Sequence, residues 1–161
     1  MITNKILMIY PDKCVNCRSC ELACSFHKTG KHNPKESAVN VIFYDEAGIS
    51  VPIMCMQCED PACMKVCPVD AISRDENDAV VSDPEKCIGC KMCISACPMG
   101  NISYSFNEMK IVKCDLCGGD PACAKICHTG AIQYEEATTA CINKKKIIAE
   151  KFKDVFVEVK N

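Results

Sequence analysis

The sequence predicts a small α+β protein organised by groups of cysteines rather than by a large apolar core. Of 17 cysteines among 161 residues, sixteen fall into four tight groups of four. Short runs rich in β-branched residues lie between the groups, and each group ends in a stretch long enough for only one or two helical turns. Grouping of this kind excludes a disulfide scaffold, whose cysteines are spread to staple loops. Thiols separated by two to five residues are the pattern of metal ligands.

Taken in chain order, residues 6–9 read as a first strand. The first group, Cys14, Cys17, Cys20 and Cys24, follows, helical over residues 18–23. Residues 25–37 are polar and basic, contain Gly30 and Pro34, and read as a surface loop carrying Lys28, Lys31 and Lys35. Strands are predicted at 39–43 and 49–53. The second group, Cys55, Cys58, Cys63 and Cys67, is helical over 62–66 and stopped by Pro68, because proline has no N–H to continue the ladder. A strand at 79–81 leads to Cys87, Cys90, Cys93 and Cys97, helical over 91–96 and stopped by Pro98. A strand at 102–106 precedes Cys114, Cys117, Cys123 and Cys127, with a helix over 122–126 and a last strand at 131–134. From Thr138 a helix is predicted with an apolar stripe of Cys141, Ile148, Phe152, Val155 and Val159, its end near 156–159 open between helix and extended chain.

The groups repeat. The first and third share the spacing C-x2-C-x2-C-x3-C and the flanks Pro11-Asp12-Lys13 and Pro84-Glu85-Lys86. The second and fourth have a wider third gap and share Asp60-Pro61-Ala62-Cys63 and Asp120-Pro121-Ala122-Cys123, each followed by lysine two residues on. The order is an internal duplication, and the Asp-Pro-Ala turns are expected to shape the widened gap.

Zinc, whose signature is paired C-x2-C, is the first candidate metal. The spacing argues for iron instead. Three cysteines at two-residue gaps let one loop hold three corners of a cube, and a fourth, one helical turn later, reaches a neighbouring cube, as in the bacterial ferredoxin run C-x2-C-x2-C-x3-C-P. Residues 87–98 match that run completely, and residues 55–68 match it with one widened gap. Four [4Fe–4S] clusters are therefore expected, and they would take the formal charge of −2 to about −10. With 6% aromatic residues the core is thin, so metal is expected to supply much of the folding free energy.

With these motifs the chain resembles, over about residues 1–135, the four-cluster ferredoxin-like electron-transfer subunits of the dimethyl sulfoxide reductase and formate dehydrogenase type. The run from Cys17 through Leu22 to His27, continuing to Asn33-Pro34, looks most like the small subunits of tungsten aldehyde oxidoreductase and benzoyl-CoA reductase complexes. The resemblance implies two bicluster modules, one inserted in the other. The outer comprises residues 1–51 plus 107–137, the inner 52–106, and residues 138–161 form a C-terminal helical extension. It implies nested sites: Cys14, Cys17, Cys20 with Cys127; Cys114, Cys117, Cys123 with Cys24; Cys55, Cys58, Cys63 with Cys97; and Cys87, Cys90, Cys93 with Cys67. Spacing alone suits pairing of neighbouring groups equally well. Ser25 and His128 replace proline after the fourth cysteine of the outer groups, a departure from the pattern.

The implied role is electron relay between a large catalytic oxidoreductase subunit, carrying tungsten, molybdenum or another metal, and an external ferredoxin or other low-potential carrier. A free-standing four-cluster ferredoxin, a subunit of a formate or carbon monoxide dehydrogenase, and a zinc-binding interaction module are the rivals. No nucleophile with a base and no phosphate loop stands in a recognisable motif, and all sixteen grouped cysteines are needed to close four sites. Electron transfer without a substrate site is expected. The balance of 19 basic and 21 acidic residues without tryptophan argues against nucleic acid. The absence of a leader pattern or a long apolar run gives an expectation of a cytoplasmic protein without direct membrane insertion. His27 and His32 read as solvated, His128 as a proline substitute, and Cys141 as a buried helix thiol. Met54, Met56, Met64, Met92 and Met99 are expected to keep water from the clusters.

Overall fold

Four two-stranded antiparallel ladders alternate with short helices in step with the cysteine groups. The computed structural model describes residues 5–160, with side chains described through residue 150. The chain runs β1 (Lys5–Ile9), α1 (Ser19–Thr29), β2 (Val39–Tyr44), β3 (Ile49–Met54), α2 (Ala62–Lys65), β4 (Ile72–Arg74), β5 (Val80–Ser82), α3 (Met92–Ala96), β6 (Ser103–Ser105), β7 (Lys110–Val112), α4 (Ala122–Ile126), β8 (Ile132–Glu136) and α5 (Ala137–Lys160). This is an α+β architecture, as the sequence predicts.

Three ladders are local hairpins, β2 with β3, β4 with β5 and β6 with β7. The fourth is not. β1 pairs antiparallel with β8, from Lys5 opposite Glu136 to Ile9 opposite Ile132, and so ties the two ends of the chain together. β4 and β7 are strands that the pattern missed. Each becomes a strand by pairing with its hairpin partner, β4 with β5 and β7 with β6.

α1 extends beyond its expected end at residue 23 to Thr29, where Gly30 in the left-handed region (φ 69°) caps it and donates its N–H to the Phe26 carbonyl. Pro68 and Pro98 stand immediately after the fourth cysteine of the middle groups, whereas Ser25 in that position keeps its N–H and allows the helix to continue. The expected surface loop at 25–37 is thus corrected at both ends. Ser25 is fully buried, its hydroxyl donating to the Leu22 carbonyl and accepting the Asn33 N–H. Glu36 and Ser37 are buried too, Glu36 accepting bonds from Ser105 and Asn107.

Two small cores result. In one, Cys20 and Cys24 of α1 meet Cys123 of α4 among Val39, Val41, Met54 and Ile132. In the other, Cys93 of α3 meets Ile72, Val80 and Ile102, with Cys63, Met64 and Cys97 packed against them. Burying Val39 or Ile132, each 2% exposed, contributes about 1.5–3 kcal/mol.

α5 is helical through Lys160, so its open end is settled as helix. It docks on β1 and β8 through Ala140, 0% exposed, and through Asn143, whose amide donates to Glu135. Cys141 is exposed, which corrects its reading as a buried thiol. The packed face is shifted by one residue, because the small Ala140 lets the helix approach the strands closely. Ile148 of the expected stripe is also exposed, and Phe152, Val155 and Val159 lie outside the described side chains.

Candidate metal centre

Every group begins with a loop that folds back on itself. The second residue inside the first C-x2-C is left-handed in all four: Asn16 (φ 57°), Gln57 (φ 48°), Gly89 (φ 69°) and Leu116 (φ 55°). Arg18 and Lys91, immediately after the second cysteine of the first and third groups, are left-handed as well. Left-handed turns of non-glycine residues cost about 1–3 kcal/mol each and persist only where the surroundings impose them. Successive turns of this kind aim backbone N–H groups toward one concavity, an arrangement that favours anions. They also carry the intervening side chains outward, so Val15, Met56 and Ile88 are more than half exposed. The methionines divide: Met54 is buried and Met64 half-buried, Met56 and Met99 are about half exposed yet line one cysteine cavity, and Met92 faces solvent, which corrects the expectation for Met92.

The helical turn after each loop sets the fourth cysteine, and in all four groups its sulfur accepts a backbone N–H. Cys24 accepts from Ala38 at 3.3 Å, Cys67 from Ala71 at 3.2 Å, Cys97 from Asn101 at 3.4 Å and Cys127 from Ile132 at 3.3 Å. The Asp-Pro-Ala turns are braced by ion pairs, Lys65 with Asp60 at 2.6 Å and Lys125 with Asp120. Those pairs are mostly exposed and add little energy, but they close the widened gap that the motif shares.

Two cavities show what the topology assembles. One is lined by Cys55, Cys58, Cys63 and Cys97 together with Met56, Met99, Ile102 and Lys113. The second is lined by Cys67, Cys87, Cys90 and Cys93 with Ile88, Lys91 and Ile111. α2 packs on α3, and each helix lends its last cysteine to the other's cavity. In the outer half α1 packs on α4. There Cys24 neighbours Cys117 and Cys123, and Cys127 neighbours Cys20, closely enough that their charges act on one another.

Burial pushes six of these thiols up, and neighbouring negative charge adds to it. Cys20 is raised to about 12, with Glu21 adding to burial, and Cys93 and Cys114 are each raised to about 11. Cys123 is also raised, by burial and then by Cys114, Cys24, Cys117 and Cys20. Cys127 is the exception. Burial raises it, but N–H donation from Ile132, the Thr129 hydroxyl and further backbone amides outweigh this and hold it below the ordinary thiol range. Thiols so placed become thiolates when a metal replaces the proton, which fits a metal-bound role. Each inner quartet lines one cavity, and the gaps of two, two and three residues in the first and third groups are those of a [4Fe–4S] cluster rather than of the two paired knuckles that hold a single tetrahedral ion. The donor set fits a cluster.

Residues 46–137 match the family model described as a 4Fe-4S dicluster domain, and residues 11–29 match one described as a 4Fe-4S binding domain. The chain belongs to the 4Fe-4S dicluster domain family. Sixteen grouped cysteines in this dicluster protein fit four [4Fe–4S] clusters, as the spacing predicts. It is similar to the aliphatic sulfonate oxidoreductase polyferredoxin-like subunit of Pyrococcus furiosus, 46% identical over 85 residues that cover 52% of this chain and 49% of the relative. Electron transport protein HydN of Escherichia coli is 37% identical over 93 residues, covering 55% of this chain and 53% of the relative. The chain thus spans about half the length of the curated relatives it matches. Among solved structures, a chain of the active site complex BamBC of benzoyl coenzyme A reductase aligns over 96% of both chains with 24% identity and a TM-score of 0.49.

Sequence reasoning missed the residues that join the dicluster loops to the scaffold. Arg74 of β4 donates to the carbonyls of Cys58, Glu59 and Asp78 and so clamps the second cysteine loop to the β4–β5 hairpin. The Gln57 amide donates to the Cys114 carbonyl at 3.1 Å while its oxygen accepts the Val80 N–H at 2.7 Å. Lys113 is 2% exposed and donates to Cys55 Sγ at 3.4 Å. A Lys-Cys pair stands at the start of three groups, at Cys14, Cys87 and Cys114. That repeat was the available signal, but it did not distinguish Lys113 from the exposed Lys13 and Lys86. Among the described residues no helix is long and apolar enough to cross a membrane.

Proposed function

We propose that the chain is an iron–sulfur electron-transfer subunit that relays electrons through four [4Fe–4S] clusters between a catalytic oxidoreductase subunit and an external low-potential carrier in the cytoplasm. The cavities shared by Cys55, Cys58, Cys63 and Cys97 and by Cys67, Cys87, Cys90 and Cys93 carry the reading. Each offers four sulfurs to one cluster, leaving no open iron for a substrate, and fully ligated clusters exchange electrons without binding anything.

The nested assignment belongs to this proposal. Its outer sites are Cys14, Cys17, Cys20 with Cys127 and Cys114, Cys117, Cys123 with Cys24. The β1–β8 ladder and the packing of α1 on α4 support an outer module of residues 1–51 and 107–137 around an inner one of 52–106. The Pyrococcus furiosus relative, named as a subunit of an oxidoreductase, supports a catalytic partner. A tungsten or molybdenum aldehyde oxidoreductase-like enzyme is our first candidate for it.

Anaerobic purification of the native complex tests the reading. We expect about sixteen irons and sixteen sulfides per chain and a stoichiometric large subunit carrying its own metal centre. Zinc in place of iron would overturn the cofactor reading, and an iron-loaded chain purifying alone would favour a free-standing ferredoxin.

A further inference from the structure

Lys113 lies between the second and fourth cysteine groups. Its Nζ donates to Cys55 Sγ at 3.4 Å, to the Cys114 carbonyl at 3.0 Å and to the Val80 carbonyl, three acceptors for the three protons of an ammonium. Two carbonyls and a sulfur satisfy its donors. They do not neutralise its charge, and among the described residues no carboxylate lies within ion-pair distance of it. A lysine 2% exposed without an anionic partner is costly, so buried charges are paired in folded proteins. The anion the geometry offers is the thiolate-ligated cluster, since Lys113 also lines the cavity of Cys55, Cys58, Cys63 and Cys97.

We propose that the Lys113 ammonium is the buried counter-charge of the cluster held by Cys55, Cys58 and Cys63, and that it raises the reduction potential of that cluster. Reduction adds one electron and hence one negative charge to the cluster. A fixed cation at hydrogen-bond distance from a ligand sulfur stabilises the reduced form more than the oxidised form. The dry surroundings strengthen the effect. Lys86, which stands at the equivalent place before Cys87, is exposed and paired with Asp83, so solvent and its carboxylate screen it. One inner cluster would thus have a buried cation, whereas the lysine that lines the other's cavity, Lys91, is exposed and screened by solvent. The inference rests on Cys55, Cys58 and Cys63 being ligands of one cluster, and is independent of which cysteine completes the site.

The test is an anaerobic redox titration of the full chain followed by electron paramagnetic resonance, with iron counted in the same samples. Lys113→Gln is expected to keep the iron of the parent and shift one of the four midpoint potentials to a more negative value. Lys113→Arg should restore it, and Lys86→Gln should move none. Unchanged midpoints in an iron-replete Lys113→Gln protein, or equal shifts in Lys113→Gln and Lys86→Gln, would overturn the proposal. If Lys113→Gln sheds iron, Lys113→Arg decides: iron retained at the parent potential supports a need for the charge, and iron lost there too makes Lys113 a structural prop and overturns it. A parent chain with fewer than four clusters would instead refute the functional reading above.

Discussion

Lys28 Nζ, late in α1, stands 3.0 Å from Asp115 Oδ2 in the loop between Cys114 and Cys117, joining segments 87 residues apart in sequence. Its side chain is 17% exposed, so this lysine is engaged within the protein, while Lys31 and Lys35 remain exposed. Asp115 also accepts the Cys117 N–H and thereby shapes the fourth cysteine loop. Burial pushes its carboxyl up, but the Lys28 cation and the Cys117 amide outweigh this and hold it below the ordinary carboxylate range.

Lys28→Ala should therefore lower the stability of the loaded protein by up to about 1 kcal/mol at neutral pH, measured by denaturant unfolding under anaerobic conditions. A carboxyl depressed in the folded state stabilises fully above its unfolded value of about 4 and loses that contribution as pH falls through its lower folded value. The difference between parent and variant should accordingly shrink in acid. A difference that grew as pH fell would contradict this assignment.

On the nested assignment we propose, Cys24→Ala should damage the same cluster as loss of Cys114, Cys117 or Cys123. Mössbauer spectroscopy and iron analysis of the variant, with Cys117→Ala alongside, check this. The two variants should lose the same spectral component. Loss by Cys24→Ala of the component removed by Cys58→Ala would instead pair neighbouring groups.

Gly89→Ala should selectively weaken the cluster of Cys87, Cys90 and Cys93. Gly89 is left-handed at φ 69°, and an added Cβ would lie 2.4 Å from the Met109 carbonyl oxygen, a backbone atom of the β6–β7 hairpin that cannot swing aside. The loop or the hairpin must shift, at a cost of about 1–3 kcal/mol. The expected readout is faster loss of that cluster's signal under a chelator, with the other three unchanged.

Truncation after Asn143 should leave iron content intact, because the docked residues Ala140 and Asn143 remain. The removed part of α5 includes the exposed Ile148, and we expect its loss to weaken association with the proposed catalytic subunit. Neutralising Lys31 and Lys35 should weaken association most at low salt, as a steering charge would. Parent-like affinity in both variants would put the docking surface elsewhere.

What the sequence determined by itself is what lies within a few residues of each cysteine. Spacing identified the four groups and their cofactor, the Asp-Pro-Ala repeats marked the widened turns, and Pro68 and Pro98 fixed two helix ends, because these effects act over one or two turns of chain. β4 and β7 escaped because pairing with β5 and β6 makes them strands, and the continuation of α1 escaped because the N–H that ties the buried Ser25 comes from Asn33, eight residues on. Only the tertiary structure brought Cys97 to the cavity of Cys55 and Cys67 to that of Cys87, since spacing is silent on which loops meet. It alone separated Lys113 from Lys13 and Lys86, which share its place before a cysteine. Exposed lysines are screened by water, whereas one enclosed between two cysteine loops keeps its full field, and enclosure is a property of the folded chain.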